Sequence, residues 1–548
     1  MLNNGTCESK YLPLGNPDFS AIRDANMIYV DKTKIIENIA SQTTPIFFSR
    51  PRRFGKSLLV NTLHNLFANG LEKFHNLDIE KNWNDTTYRV VHIDFSRMAN
   101  KNAQDIKFSL SLKIIEEFGY TNNATLINSQ KIHYPDIILD EISKNLSNNS
   151  TVLLIDEYDA PLTHHINEPD ELKKITQILN DFYATVKQYT GKYRFIFMTG
   201  VTRTSHVSIF SAFNNLLDLS TEEDFNSLLG FTRTDLSRYF ENYIENAANI
   251  LQISKDNVYQ SLEQYYDGFQ FALHTKETVY NPWSILSFLK LPKNGFRNYW
   301  FESGGTPSII MQYLKINDNF DFIDYNKRNI YVDSYEILRK YEITDIPRDI
   351  LLYQAGYFTL RDEQDGTVRL VLPNIEVEES LFKIYLSENH LNPSRELRQK
   401  MLKLSEAIDE RNLSEIIDVF NTILNECVSS SSNIFQDERS LRDIIYAALL
   451  QIPSLQKVKE RETVKGRSDL ELVTRKTCMM IEFKRTSATQ TAAAALTRAI
   501  EQSINHRYGV SFSQTHKLYR VAMVISTQEK AILHDYCQEI PSEIAYEQ

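Results

Sequence analysis

Residues 46–60, Ile-Phe-Phe-Ser-Arg-Pro-Arg-Arg-Phe-Gly-Lys-Ser-Leu-Leu-Val, have the pattern of a buried strand, a tight turn and the beginning of a helix. The Gly-Lys-Ser at 55–57 is the second half of G-x-x-x-x-G-K-[ST], in which backbone N–H groups and the lysine bind phosphates and the hydroxyl binds Mg²⁺. The first glycine of that pattern would fall at position 50, where the sequence has Arg50. The segment therefore predicts a phosphate-binding loop that departs from the general pattern at its first position.

A second apolar run, Thr-Val-Leu-Leu-Ile at 151–155, ends in Asp156 and Glu157. In P-loop enzymes, an aspartate at the end of a neighbouring strand holds Mg²⁺, and a glutamate there can polarise the attacking water. The two segments together predict an ATPase core. The alternative is an α/β sheet whose loop only caps a helix, because a fold does not prove that a nucleotide is used.

Further apolar strands at 90–95 and 195–200 alternate with helical patterns, which predicts a mainly parallel, doubly wound sheet. Ligands of such sheets bind at the carboxyl ends of the strands. Thr199 lies at one such end, where a polar side chain can contact the γ-phosphate. Arg203 follows it, either as a stabiliser of transition-state charge or as a partner in a salt bridge; the sequence leaves both open.

A second group of charged residues lies near the C-terminus, in Gly-Arg-Ser-Asp-Leu-Glu-Leu-Val at 466–473 and Met-Met-Ile-Glu-Phe-Lys at 479–484. Two strands joined by a turn predict a hairpin, with Glu482 and Lys484 on one face and Asp469 beside them. The two carboxylates suit a Mg²⁺ ion, and the lysine can orient a water molecule or neutralise phosphate charge. The alternative is a surface hairpin with an exposed charge pair.

The composition predicts a globular protein of two to four domains, with 548 residues, 42% hydrophobic and 24% charged. We expect a cytoplasmic protein without a membrane partner for three reasons. The four cysteines are scattered, there is no long apolar run, and the N-terminus does not resemble a secretory signal. The net charge is −11, but residues 431–520 contain 15 Lys and Arg against 9 Asp and Glu. That local excess indicates either a polyanion partner or a solvated surface.

Several segments together resemble the AAA-ATPase-like family of bacterial proteins, in which Arg-Pro-Arg-Arg-Phe-Gly-Lys-Ser is the usual form of the loop. These segments, between about residues 10 and 360, are 29–33, 49–57, 155–159, 199–203, 214–215, 266–269, 280–284 and 352–357. The resemblance implies that ATP and Mg²⁺ are bound, with Glu157 activating water and Arg203 stabilising charge. The residues expected to bind the nucleotide or its metal are Arg53, Phe54, Gly55, Lys56, Ser57, Asp156 and Thr199.

The Asp and Glu-x-Lys arrangement is similar to that of the PD-(D/E)XK nuclease superfamily, which lets the position of Ser468 vary from proline. The resemblance implies cleavage of nucleic acid with Mg²⁺ or Mn²⁺, with DNA favoured over RNA. By analogy Glu438 supports the metal, and Glu462 competes for that role. A helix further on carries Gln502 and Tyr508, which the family's pattern places facing the site.

These patterns divide the chain into a P-loop domain at 1–220, a helical, aromatic-rich extension at 221–375, a helical connector at 376–428 and a restriction-endonuclease-like α/β domain at 429–548. The expected function is nucleotide-controlled cleavage of nucleic acid by an ATP-binding and ATP-hydrolysing protein. The rivals are a nucleotide-switched binding protein that does not cut, and a toxin or effector. The sequence leaves a homo-oligomer open.

Overall fold

The computed structural model describes residues 10–121, 123, 127, 130–203, 216–303, 330–388, 393–428, 438–450, 452, 455–459, 462–463, 466–474, 476–486, 491–505, 516–526, 529 and 531–540. These residues fall into two compact units. The first contains 10–303 and 330–377, and the second begins at residue 378. Asn214, Asn215, Tyr508 and the serine-rich linker at 429–433 lie outside the described residues.

The first unit is built on a five-stranded parallel sheet with the strand order β2-β3-β4-β1-β5. Both faces are covered, so the central strands are continuous apolar runs rather than alternating ones. The predicted α/β class with a parallel sheet is confirmed. The strands are β1 Ile46–Ser49, β2 Arg89–Asp94, β3 Thr151–Asp156, β4 Tyr193–Gly200 and β5 Leu217–Asp218.

Helices connect these strands and form most of the extension. The helix after β1 begins at Lys56, and its inner face is buried because Leu59, Leu63, Leu66 and Phe67 recur at helical spacing. The helices of the first unit are α1 Phe19–Asp24, α2 Thr33–Ala40, α3 Lys56–Asn69, α4 Ala103–Glu117, α5 Pro135–Lys144, α6 Ala160–His164, α7 Pro169–Gln188, α8 Arg233–Tyr239, α9 Glu241–Leu251, α10 Lys255–Tyr266, α11 Pro282–Lys290, α12 Tyr299–Glu302, α13 Ser334–Leu338 and α14 Arg348–Gln354.

The extension has its own core, to which the beginning of the chain contributes. Phe240, Tyr266 and Phe288 are buried in one cluster with Leu12 and Ile28. The aromatic side chains of this cluster therefore serve packing. A small antiparallel sheet with the order β6-β8-β7 completes the unit, and its strands are β6 Ile330–Asp333, β7 Thr359–Gln364 and β8 Thr367–Val371.

The second unit contains a five-stranded sheet with the order β15-β14-β13-β12-β9, in which only β13 and β14 are parallel. Helices at 395–427 pack within this unit, so part of the predicted connector is joined to the C-terminal sheet. The helices are α15 Ile375–Glu388, α16 Arg395–Glu410, α17 Leu413–Cys427, α18 Glu438–Leu449 and α19 Ala492–Asn505. The strands are β9 Gln456–Lys459, β10 Glu462–Thr463, β11 Gly466–Arg467, β12 Leu470–Val473, β13 Thr477–Arg485, β14 Lys517–Ser526 and β15 Ala531–Ile540.

Within the described part of the chain, no helix is long and apolar enough to cross a bilayer.

Candidate functional site

The loop after β1 contains two residues in the left-handed backbone region, Arg53 with φ 71° and Gly55 with φ 99°. Glycine adopts that region readily, whereas a residue with a side chain does so at a cost of about 1 kcal/mol. Contacts from the extension stabilise Arg53, because its guanidinium lies 4.4 Å above the ring of Trp283 and donates to the Ser303 carbonyl. The loop is therefore held in a strained, preformed shape.

Lys56 begins α3 and is buried. Its ammonium donates to the carbonyls of Arg50 at 2.8 Å and Pro51 at 3.0 Å, and burial lowers its pKa. Ser57 follows on the exposed side, and its hydroxyl lies beside the Asp156 carboxylate, whose charged form it stabilises. The two predicted parts of the motif therefore lie next to each other, and this hydroxyl and carboxylate are the oxygen ligands that Mg²⁺ takes in P-loop enzymes.

The two carboxylates at the end of β3, Asp156 and Glu157, differ in their geometry. Burial raises the pKa of Asp156, and the charge of Asp94 adds to that increase. Glu157 adopts φ 48°, donates its N–H to Asp156 at 2.9 Å and also has a pKa raised by burial. Asp94 was not predicted as a site residue, although it ends β2 directly beside Asp156 in the strand register. The signal was an aspartate at the same place in two apolar strands.

Arg50, which stands where the general pattern has glycine, is buried and structural. Its guanidinium lies 4.2 Å from each of the rings of Phe48 and Phe271. It also donates to the carbonyls of Ser220 at 2.7 Å and Phe225 at 2.9 Å, and burial lowers its pKa to about 9. The departure from glycine therefore ties the loop to the extension.

Two further contacts attach the loop to the extension. The buried ring of Phe54 packs edge-on against Phe269 at 4.9 Å and Phe271 at 5.3 Å. A Cβ atom on Gly356 would lie 2.7 Å from Pro51, so only glycine permits this close approach. The ring of Phe54 therefore packs against the extension, and the predicted contact of Phe54 with a nucleotide stays a prediction.

Asp159 fixes the segment that follows β4. Its carboxylate accepts from the Thr202 backbone at 2.7 Å and from the Thr202 hydroxyl at 2.6 Å. Gly200 allows the approach, because a Cβ atom there would lie 2.5 Å from both Asp159 and the ring of Tyr158. These contacts explain the spacing of the 155–159 and 199–203 motifs.

Thr199 and Arg203, which are close in sequence, have different contacts in the structure. Thr199 lies beside Phe48 in the sheet, and its buried hydroxyl has no hydrogen-bond partner among the described residues. Arg203 is buried, forms an ion pair with Asp218 at 2.7 Å and donates to the Ile337 carbonyl at 2.7 Å. These contacts favour the salt-bridge alternative for Arg203. A sensor role for Thr199 stays a prediction.

A cavity of about 650 Å³ opens at the loop. Its polar lining includes Lys56, Ser57 and Glu157, and segments from the beginning of the chain and from the extension supply an apolar lining. Small-molecule sites commonly have volumes of about 300–1,000 Å³. The cavity is therefore large enough for a nucleotide.

The predicted hairpin in the second unit is present as β12 and β13, with Leu470 opposite Ile481. Asp469 precedes β12, and its carboxylate accepts from the Phe483 N–H at 2.9 Å. Lys484 forms an ion pair with Glu482 at 2.8 Å, and Glu482 is fully buried. The structure therefore brings the three predicted residues to one part of the sheet.

Two residues near this hairpin were not predicted. Arg442 on α18 is buried and contacts Asp443 at 2.9 Å and Asp469 at 3.2 Å. Glu471 is fully buried and accepts from the Ser468 hydroxyl at 3.1 Å. Arg442 therefore neutralises the carboxylate that was predicted to bind metal.

The remaining predicted nuclease residues are described only in part. Glu438 begins α18 and Glu462 lies in β10, but the side chains of both lie outside the described residues. Gln502 is half-buried on α19, which packs on β13 and β14. Within the described side chains, no group of three metal-binding residues occurs. Because Mg²⁺ often takes only one or two carboxylates and several waters, Asp469 and Glu482 fit that ion.

The comparisons with known proteins agree with these two sites. Residues 13–210 match the AAA-ATPase-like family, described as a predicted AAA-ATPase. Residues 436–535 match the PD-(D/E)XK nuclease superfamily. Both resemblances seen in the sequence are therefore confirmed, and the chain carries an ATPase-like region and a nuclease-superfamily region.

Two individual proteins are also similar to the chain. One, from Azotobacter chroococcum mcd 1, is described as an uncharacterized protein in the vnfD 5′ region; it is 28% identical over 517 residues, which are 93% of this chain and 96% of the relative. The other is the structure of a Walker-type ATPase of Pyrococcus abyssi, with a TM-score of 0.32 and 10% identity, covering 64% of this chain and 94% of that one. The second likeness is too distant to support an argument.

Proposed function

We propose that this protein binds and hydrolyses ATP at the loop and cleaves phosphodiester bonds of nucleic acid, DNA in preference to RNA, at the hairpin. The observation that carries the proposal is the placement of the Ser57 hydroxyl beside the Asp156 carboxylate, which brings together the parts of a P-loop site in a chain that also contains the Asp469, Glu482 and Lys484 group. The matches to the two families support both halves.

At the loop, Lys56 and the N–H groups at the beginning of α3 bind the phosphates, because this helix end presents unpaired donors and positive potential. Ser57 and Asp156 hold Mg²⁺, which neutralises phosphate charge. Glu157 orients the attacking water and accepts its proton. Because burial raises the pKa of Glu157, it is a stronger base than an exposed glutamate.

At the hairpin, Asp469 and Glu482 hold a Mg²⁺ or Mn²⁺ ion, whose charge favours attack on a phosphodiester. Lys484 orients the water molecule or neutralises charge on the phosphate. Nucleotide control of cleavage is part of the proposal and is motivated by the presence of both sites in one chain. The setting would be the cytoplasm, and a homo-oligomer is compatible with it.

One observation favours a second function, a nucleotide-switched protein that binds without cutting. Both candidate metal ligands are already paired inside the protein, Asp469 with Arg442 and Glu482 with Lys484. A nuclease fold with internally neutralised carboxylates can hold nucleic acid without binding a metal. Metal binding therefore separates the two functions.

Cleavage of labelled duplex DNA, single-stranded DNA and RNA tests the proposal, with Mg²⁺ or Mn²⁺ and with or without ATP. We expect Lys484→Ala to abolish cutting and Lys56→Ala to remove its response to ATP. The exposed Lys476 in the same hairpin provides a matched control, Lys476→Ala, which should cut normally. ATP binding without cutting of any substrate would favour the protein that binds nucleic acid without cutting it. Equal cutting with and without ATP would contradict nucleotide control of cleavage.

A further inference from the structure

A second, much smaller cavity of about 20 Å³ lies where β1 runs into the loop. It shares no lining residue with the cavity that contains Lys56 and Glu157. Its lining comes from the end of β1, from the segment after β5 and from the end of α14, and includes Arg50, Arg203 and Gln354. A space of this size accommodates one particle about as large as a water molecule. It is too small for a phosphate group, so its ligand differs from that of the loop.

Two hydrogen-bond donors of this lining have no partner among the described residues. Arg50 donates through both terminal nitrogens to backbone carbonyls, but its Nε atom is unpaired there. The side-chain oxygen of Gln354 accepts from the Arg203 N–H at 2.9 Å, which fixes the amide and leaves its Nε2 atom unpaired. Arg50 is only 2% exposed and Gln354 only 5%. Because buried donors are normally paired, both indicate a ligand that accepts hydrogen bonds.

The surroundings of this cavity are also positively charged. Arg50 keeps its charge near neutral pH, although burial lowers its pKa to about 9. The carboxylate whose charge acts on Arg50 is Asp218, and it is already paired with Arg203 at 2.7 Å. Lys340 lies close enough to that pair for both charges to affect its pKa. An anion is satisfied by donors alone, whereas a water molecule also needs acceptors for its own protons, so this environment favours an anion.

We infer that this cavity binds a chloride ion, held by the Nε atom of Arg50 and the Nε2 atom of Gln354. The ion balances the charge of Arg50 and pairs two buried donors. It also fixes the residue whose carbonyl accepts from the Lys56 ammonium at 2.8 Å, so chloride stabilises the shape of the loop. The site gives Gln354, in the 352–357 motif, a role of its own. The inference does not depend on ATP binding or on cleavage of nucleic acid.

Thermal unfolding of the full chain tests this inference when chloride is replaced stepwise by gluconate at constant ionic strength. Gluconate is too large for the cavity. A ligand that binds only the folded chain stabilises it by mass action, so we expect the unfolding temperature to rise by about 1–3 °C for each tenfold increase in chloride above its dissociation constant. Bromide should act in the same way.

Gln354→Glu separates this site from a general effect of salt. The new side chain retains an oxygen that accepts from the Arg203 N–H and adds a negative charge beside Arg50, so the unfolding temperature should no longer depend on chloride. The control, Gln364→Glu, makes the same change at an exposed position of β7 and should keep the dependence. Equal unfolding temperatures of the unaltered chain in chloride and gluconate would overturn the site. A dependence that Gln354→Glu retains would overturn it as well.

Anomalous scattering from crystals of the full chain grown with bromide locates the ion without any variant. We expect a bromide peak within hydrogen-bond distance of the Nε atom of Arg50 and the Nε2 atom of Gln354. A water molecule in that place, with no anomalous signal, would overturn the inference. The contacts of Arg50 with the extension would then account for Arg50 by themselves.

Discussion

The cationic side chains of the two candidate sites differ in what they contact. At the loop, the ammonium of Lys56 donates to two neutral backbone carbonyls. At the hairpin, Lys484 is paired with Glu482, and Arg442 is paired with Asp469. A phosphate that enters the loop replaces neutral acceptors, whereas a metal ion that enters the hairpin competes with internal cations. At the loop, the charge of the lysine is therefore not balanced by a direct carboxylate contact. At the hairpin, the carboxylates are already neutralised by the protein's own cations.

The two sites also differ in their backbone conformation. The loop contains left-handed backbone at Arg53, and Glu157 shares that conformation across the site. The surrounding extension holds the loop through Arg50 and Phe54. The hairpin instead uses regular antiparallel pairing, with the Phe483 N–H directed to Asp469. Backbone strain that is held by contacts from the extension is typical of a functional site. Regular strand pairing at the hairpin is compatible with cleavage of nucleic acid and also with binding without cleavage.

The largest effect is expected where the loop site performs chemistry. Glu157→Gln should lower the rate of ATP hydrolysis by about 10²- to 10⁴-fold, because the amide cannot accept the proton of the attacking water. ATP binding should remain, since Lys56 and Ser57 are unchanged. Steady-state hydrolysis and calorimetry measure the two quantities, and Glu222→Gln at an exposed position is the control. An unchanged rate would exclude Glu157 as the base.

The pH profile provides a second check on the same residue. Burial raises the pKa of Glu157, so this carboxyl stays protonated to a higher pH than an exposed glutamate. Hydrolysis by the unaltered chain should therefore be lost, as pH falls, at a pH above the ordinary glutamate value of about 4.3. An acid limb at or below that value would contradict the assignment.

A smaller effect, on stability, is expected for Arg203. Arg203→Met leaves the Asp218 carboxylate, whose side chain is only 12% exposed, without its guanidinium partner, which should lower the free energy of unfolding by about 3–5 kcal/mol. Adding Asp218→Leu should restore most of that loss. Denaturant unfolding measures the stability, and hydrolysis is measured on the same samples. If the double variant is stable but its turnover stays low, Arg203 acts in catalysis as well as in the ion pair.

Some of this organisation could be predicted from the sequence because the signals are local. A glycine and a lysine between a strand and a helix predicted the loop, and two short strands around a turn predicted the hairpin. The role of Arg50 could not be predicted, because its partner Phe271 lies far along the chain. Arg442 and Asp443 did leave a signal, a charged pair inside the apolar stretch of α18. Buried charged side chains need compensating contacts, so this pair indicates a further charged residue nearby. In the structure that residue is Asp469, which contacts Arg442.

The smallest expected effect tests the neutralised state of the hairpin. In Arg442→Gln/Asp443→Asn, the internal ion pair is removed without a change in net charge, and Asp469 loses its contact with the guanidinium. We expect Mn²⁺ to bind about tenfold more tightly to this variant, because hydrogen bonds to charged groups are worth about 1.5–3 kcal/mol and Arg442 no longer competes for the carboxylate. Titration followed by electron paramagnetic resonance measures the free Mn²⁺.

Arg398→Gln, at an exposed position of the same unit, should leave Mn²⁺ binding unchanged. A loss of Mn²⁺ affinity in the double variant would reverse the argument, because it would show that Arg442 holds Asp469 in the orientation that the metal needs. The two sites would then be alike, because in each of them a cationic side chain would help to form the place where the ligand binds. Tighter binding would instead establish that the hairpin is restrained by its own cations, as the loop is not.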